Sequence, residues 1–198
     1  MPQRILRPSP VTGVRVDPIL TALLLAELLH RSDELWLVSP WISDVPALDN
    51  SCGDFDAVIA DASARTYGLS EALAMLATVG SRLNIVARPA EHNRTFLSRL
   101  RRSVDASSLV IVEHPDIHEK TFCGRNWLLT GSMNFTLRGM QVNDEAVTYR
   151  VDEAAAAQSR IELNHRWKAR SLAPASRSRN ARHSGSPRSS MHSSAPGI

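Results

Sequence analysis

An alternation constrains this chain more than any other feature. Apolar runs of strand length at residues 35–38, 83–87 and 109–112 follow stretches with helical signals at 17–30, 70–79 and 93–103. A short apolar run bounded by turn residues reads as a buried strand, and repeated helix–strand alternation reads as parallel crossover units. The bounds are legible. Ser39-Pro40 and Pro89 stop the first two runs, because proline lacks the N–H and restricts the residue before it. Asp17-Pro18 offers an acidic N-cap with proline in the first turn, and Gly80 closes the second helix. Phe96, Leu97 and Leu100 share one face of the third.

Beyond residue 112 the pattern changes. Short strands at 120–123 and 127–130 flank Gly124-Arg125-Asn126, a hairpin signal. A further strand follows at 145–151, and Asp152 caps a helix over 153–168 that contains four consecutive alanines. Residues 44–68 read as irregular. Residues 1–16 carry Pro2, Pro8, Pro10 and Gly13 and read as a flexible arm. Residues 171–198 are rich in Ser, Arg, Pro and Gly with few large apolar side chains, which predicts a disordered tail. The expectation is one α/β domain over 17–170, with a mixed sheet flanked by helices.

Charge and cysteine usage exclude several classes. The chain has 23 basic and 20 acidic residues, net +3. Four arginines, Arg177, Arg179, Arg182 and Arg188, lie in the tail; taking four from 23 leaves 19 basic against 20 acidic residues in the body. A strongly basic nucleic-acid-binding fold is therefore not implied. Two cysteines, Cys52 and Cys123, exclude a disulfide scaffold and a four-cysteine zinc site. The longest apolar run, 19–29, contains Glu27 and falls short of the ~20 residues that span a bilayer. Asp17 and Pro18 before it, and no small-residue cleavage site after it, argue against a signal peptide. A cytoplasmic protein without a membrane partner is expected. Lysine occurs only at Lys120 and Lys168.

The chemistry concentrates in residues 118–145. His118 and Lys120 are two apart, so on a strand they share a face. The hairpin returns Gly131-Ser132 beside them, and Asn134 follows. One face thereby collects an imidazole, an ammonium, a hydroxyl and a carboxamide. Imidazole can attack phosphorus and form a covalent phosphoenzyme. Lysine is a point charge suited to phosphate oxygens, and Ser132, Asn134 and nearby backbone N–H groups can hold the rest. Glu145, opening the next strand, can fix the imidazole tautomer.

His118-Glu119-Lys120, Gly131-Ser132-Met133-Asn134 and the downstream Gly139 with Asn143-Asp144-Glu145 resemble the phospholipase D superfamily. The segment Ser39-Pro40-Trp41-Ile42-Ser43 adds to the likeness. The resemblance implies a metal-independent phosphodiesterase without cofactor: His118 as nucleophile, Lys120 and Asn134 on phosphate, Ser132 supporting them and Glu145 orienting the histidine. Two departures stand out. Arg125 occupies the position of the family's aspartate, which is mainly structural, and the spacer to Gly131 is one residue short. The chain holds one His-x-Lys where the reaction uses two. The resemblance then implies a homodimer, like the family's small nucleases, with the second copy's histidine as acid and base.

A narrower resemblance extends to the phospholipase-D-like proteins encoded with bacterial systems that insert 7-deazaguanine bases into DNA. It rests on Ser39-Pro40-Trp41-Ile42-Ser43-Asp44, Leu48-Asp49-Asn50 and Phe135-Thr136 beside the motifs above. It implies a DNA substrate, a modification and restriction context, and other proteins of such a system as partners. The rivals are phospholipid hydrolysis and a non-catalytic DNA-binding subunit with a degenerate site. His30, His92 and His165 read as solvated or packed residues of helices without partners, and Arg94, Arg99, Arg101 and Arg102 as either phosphate contacts or a solvated helix face.

Overall fold

The structure is a computed structural model that describes residues 3–8, 13–143 and 145–168. The predicted tail at 171–198 lies outside the described residues, as do residues 9–12 of the predicted arm. In chain order the elements are β1 (Gln3–Leu6), α1 (Asp17–Leu29), β2 (Glu34–Val38), β3 (Pro46–Asp49), β4 (Thr66–Gly68), α2 (Leu69–Thr78), β5 (Arg82–Ala87), α3 (Glu91–Ser103), β6 (Leu109–Glu113), β7 (Thr121–Cys123), β8 (Trp127–Gly131), α4 (Leu137–Gln141), β9 (Val147–Val151) and α5 (Glu153–Leu163). A π-helical turn, Asn164–Lys168, follows α5.

Seven strands form one mixed sheet in the order β1-β9-β8-β7-β2-β5-β6. The runs of the alternating half, β2, β5 and β6, pair in parallel, with Leu35 opposite Leu83 and Leu83 opposite Leu109. The hairpin half is antiparallel throughout. Alternation of side chains sorts the strands into two faces. Leu35, Leu37, Leu83, Ile85, Phe122 and Leu129 pack with α1, α2 and α3 in the main core. Trp36, Val38, Val86 and Cys123 point the other way, onto Leu163 of α5 and Trp167. Each such buried Leu or Phe stabilises by roughly 1.5–3 kcal/mol relative to an exposed one.

Register brings the two halves together at one edge. The parallel strands end on the same side, and Val38 at the end of β2 faces Thr121 at the start of β7. Thr121 in turn faces Thr130, and Gly131 faces Val147. The carboxyl ends of β2, β5, β6 and β8 and the amino ends of β7 and β9 therefore share that edge.

Several elements differ from expectation. Gln3–Leu6, within the predicted arm, forms the edge strand β1 against β9; its partner lies some 145 positions away, beyond any local signal. The 44–68 stretch contains the two-stranded antiparallel pair β3–β4, which bulges between Pro46 and Leu48. The N-cap of α1 is Val16; Asp17 sits inside the first turn and accepts from Arg15 instead. Asp152 does cap α5, accepting from Ala155 N at 3.0 Å.

The hairpin is anchored from its far end by a buried carboxylate. Glu27, 2% exposed on α1, accepts from Ser32 N at 2.6 Å, Ser32 Oγ at 2.8 Å and Trp127 Nε1 at 2.6 Å. Ser32 Oγ also accepts from Arg125 N at 2.6 Å. A Cβ on Gly124 would press against this cluster. A buried polar group is tolerable only when so satisfied.

Candidate active site

His118, Lys120, Ser132, Asn134 and Glu145 lie at the shared edge. His118 and Lys120 are not on a strand: they occupy the extended segment before β7, and strand geometry begins at Thr121. Pairing continues one step past the ladder, since Gly131 N donates to Lys120 O at 3.4 Å. Lys120 Nζ donates to the carbonyl of His118 at 2.7 Å and has no carboxylate partner among the described residues. The imidazole of His118 is exposed and makes no side-chain hydrogen bond among the described residues. The segment is held from beneath by Arg88, at the end of β5, whose Nη2 donates to Ile117 O at 3.1 Å.

Gly131 is required by close approach. A Cβ there would collide with the carbonyl of Ala146, just before the neighbouring strand β9. That closeness lets Ser132 N donate to Ala146 O at 3.0 Å while Ser132 Oγ accepts from Ala146 N at 3.0 Å. Ser132 Oγ then donates to Glu145 Oε2 at 2.5 Å, and Asn143 Nδ2 lies 3.4 Å from Glu145 Oε1. The predicted partner of Glu145 was the imidazole; its hydrogen bonds go to Ser132 and Asn143. The reason is register: β8 and β9 are adjacent, so their neighbouring ends present Ser132 and Glu145 to each other.

Asn134 reaches the site through a different route. The chain after it bridges Ile42 to Phe135 in parallel, and Ser43 N donates to Phe135 O at 2.8 Å. Ser39 Oγ, buried at the end of β2, donates to Trp41 O at 2.9 Å and lies 3.4 Å from Asn134 Oδ1. The Nδ2 amide of Asn134 has no partner among the described residues. Gly139 permits this packing, since a Cβ on it would strike the Asn134 carbonyl.

Arg125 sits in the β7–β8 turn, at the opposite end of the hairpin from His118 and Lys120. Its side chain is exposed and lies 3.9 Å from Glu153. The missing aspartate therefore removes no group from the edge that carries the motif.

Sequence reasoning missed three residues here. His92, in the first turn of α3, is not partnerless: its Nε2 is 2.9 Å from Ser43 Oγ and its ring meets Trp41 edge-on, centroids 5.7 Å apart. Asn93 is fully buried and binds both loops of the edge, accepting from Ile42 N and donating to Pro40 O and Arg88 O, each at 2.8 Å. Arg88 lies over the Trp41 ring, 5.3 Å from its centroid. The only local signal was the pair of prolines, Pro40 and Pro89, that end β2 and β5. Of the α3 arginines, three have carboxylate partners: Arg94 with Glu91, Arg99 with Asp44 and Arg101 with Glu113. These pairs favour the solvated-face reading of that helix.

No known family's sequence pattern matches the chain, and no curated protein matches it in sequence. Solved structures do. Nuc from Salmonella typhimurium, a phospholipase D family member, superposes with a TM-score of 0.54 at 14% identity, covering 84% of this chain and 95% of its own. The chain has the phospholipase D fold. NucT from Helicobacter pylori gives a TM-score of 0.54 at 10% identity, over 83% of this chain and 94% of its own. Phosphatidylserine synthase from Haemophilus influenzae gives 0.52 at 12%, over 83% of this chain but 38% of its own. The likeness is one of fold, and two of these neighbours match a single copy of that fold over nearly their whole length. Among the described residues, no helix is long and apolar enough to cross a membrane.

Proposed function

We propose that the chain is a metal-independent phosphodiesterase that cleaves DNA through a phosphohistidine at His118. One observation carries the reading: the carboxyl edge of a phospholipase D fold carries the His118 imidazole and the Asn134 Nδ2 amide, both without a hydrogen-bond partner among the described residues, and the Lys120 ammonium, without a carboxylate among them. Such an edge is the usual ligand side of open α/β sheets, and these groups suit a phosphodiester. Lys120 and Asn134 Nδ2 bind its non-bridging oxygens, and Ser132 is held in place by Glu145 and Ala146.

A ring nitrogen of His118 attacks phosphorus with its lone pair, and the P–O bond to one deoxyribose breaks. A second imidazolium, His118 of another copy across a twofold interface, gives its proton to the leaving oxygen. That imidazole, now neutral, takes a proton from water as the water oxygen attacks phosphorus and the P–N bond breaks. The products are an alcohol and a phosphomonoester, and both histidines return to their starting states. The homodimer, the DNA substrate and the setting in deazaguanine modification and restriction rest on the motif resemblance. The two whole-length fold neighbours support a chain of this size working as one unit.

A second reading has its own observation. Glu145 is bound to Ser132 and Asn143, not to the imidazole, as suits a subunit that grips DNA without cleaving it. The test is cleavage of plain and deazaguanine-containing DNA in EDTA by wild type and His118→Ala, with chain quenched in alkaline detergent, which spares the acid-labile P–N bond, assayed for phosphohistidine. Cleavage that persists in EDTA, disappears in the variant and leaves a labelled wild-type chain is expected. DNA binding without cleavage or label, unchanged by His118→Ala, supports the binding subunit instead. In mixed dimers of wild-type and His118→Ala chains, activity should fall below the share of wild-type chains. Full retention per wild-type chain refutes the shared site.

A further inference from the structure

Phosphoryl chemistry leaves one feature of the edge unused. An open cleft runs beside Asn134, walled by Trp41, His92, Leu137, Arg138 and Asn143. Two rings meet in it at 87°, and His92 is held by Ser43, which also lines the cleft. Arg88 covers the Trp41 ring from outside the cleft and ties it, through Ile117 O, to the residue before His118. The other three tryptophans are buried, and Trp41 alone offers part of its surface. Among the described residues the walls include one cation, Arg138, and no carboxylate.

We propose that this cleft is a nucleobase subsite: it takes the base of the nucleotide next to the phosphodiester held by Lys120 and Asn134, stacked on Trp41. The inference deepens the DNA reading above and rests on it. Asn134 belongs to both regions, so a ligand whose phosphate reaches its amide extends its neighbouring group into the cleft. A flat π-surface with amide groups at its margin suits a heterocycle with hydrogen-bonding edges. Asn143 and Asn134 can meet such an edge, and Arg138 can meet the next phosphate. An acyl chain fits poorly, because His92, Arg138 and two carboxamides interrupt the apolar wall. A paired base has its faces covered by neighbours, so the occupant is single-stranded or turned out of the duplex.

The test compares two single-stranded 12-mers with identical phosphates, oligothymidylate and its fully abasic tetrahydrofuran analogue. Affinity is measured in EDTA on full-length chain carrying His118→Ala to prevent turnover. With Trp41 intact, the base-bearing strand should bind roughly 5- to 150-fold more tightly, the range that stacking of one base supplies. Trp41→Ala should reduce this preference to about twofold or less, and Trp41→Phe, which keeps a ring, should retain most of it. Equal affinity for the two strands with Trp41 intact overturns the subsite and leaves the phosphodiesterase reading standing. Equal losses on both strands in Trp41→Ala also overturn it, showing a merely structural indole. Binding of neither strand, with binding to anionic phosphatidylglycerol vesicles, overturns the subsite and the DNA reading together.

Discussion

Asn93 should be the most sensitive neutral residue of this edge. Its side chain makes three hydrogen bonds to loop backbone, to Ile42 N, Pro40 O and Arg88 O, each at 2.8 Å, with the residue 0% exposed. Replacement by alanine removes three bonds worth about 1 kcal/mol each and leaves Ile42 N without its partner, while Pro40 O and Arg88 O keep Arg88 N and Ala90 N. The expected loss is roughly 3–5 kcal/mol, a large fraction of the 5–15 kcal/mol typical of a domain. Urea denaturation measures it. With a slope near 2 kcal/mol per molar, the midpoint should fall by about 2 M at unchanged slope. Asn93→Asp keeps the acceptor for Ile42 N but points a carboxylate oxygen at two carbonyls. It should cost at least as much at neutral pH and recover partly in acid, where the carboxyl can donate. Acrylamide should also quench Trp41 more readily in both variants, since its loop loses two ties in Asn93→Ala and the Pro40 tie in Asn93→Asp. A shift of less than about 1 kcal/mol in Asn93→Ala at constant slope would refute the reasoning.

Other outcomes follow from the same structure. Glu27→Ala strands three buried donors and should cost roughly 3 kcal/mol or more; Glu27→Gln, which keeps an acceptor for Trp127 and Ser32 Oγ, should cost less. Calorimetry showing equal melting of both variants would contradict this. Gly131→Ala should lower thermal stability and abolish the proposed phosphodiester cleavage, because its Cβ displaces the Ala146 carbonyl that positions Ser132; wild-type melting would count against it. Burial pushes the Cys123 thiol up to about 12, so in native protein near pH 8 a maleimide should label exposed Cys52 and spare Cys123. The linked effect has a definite sign. The folded thiol holds its proton above the ordinary value of 9.0, so its contribution is full below that value and fades as pH rises toward 12. Cys123→Ala should therefore flatten the fall of stability above about pH 9, and an unchanged pH slope would tell against it.

How much was legible depended on the range of the interactions. Helices α1, α2, α3 and α5 and strands β2, β5, β6, β7, β8 and β9 could be placed from apolar runs and turn residues, because those signals act within a few positions. His118, Lys120, Ser132 and Asn134 could be singled out because a hairpin keeps them within 17 residues of one another. The strand β1 could not, since its partner lies at the other end of the domain. Nor could the actual partner of Glu145, which the β8–β9 register decides.

The sequence by itself therefore determined the element order, the α/β class and the cluster of imidazole, ammonium, hydroxyl and carboxamide side chains. Tertiary structure decided what surrounds that cluster. Ser43 and His92 are 49 positions apart, and Ile42 and Asn93 are 51 apart. They meet because β2 and β5 run parallel, so the loops leaving their carboxyl ends emerge side by side. A crossover connection separates such loops by a whole helix in sequence while joining them in space, and no local pattern records that meeting.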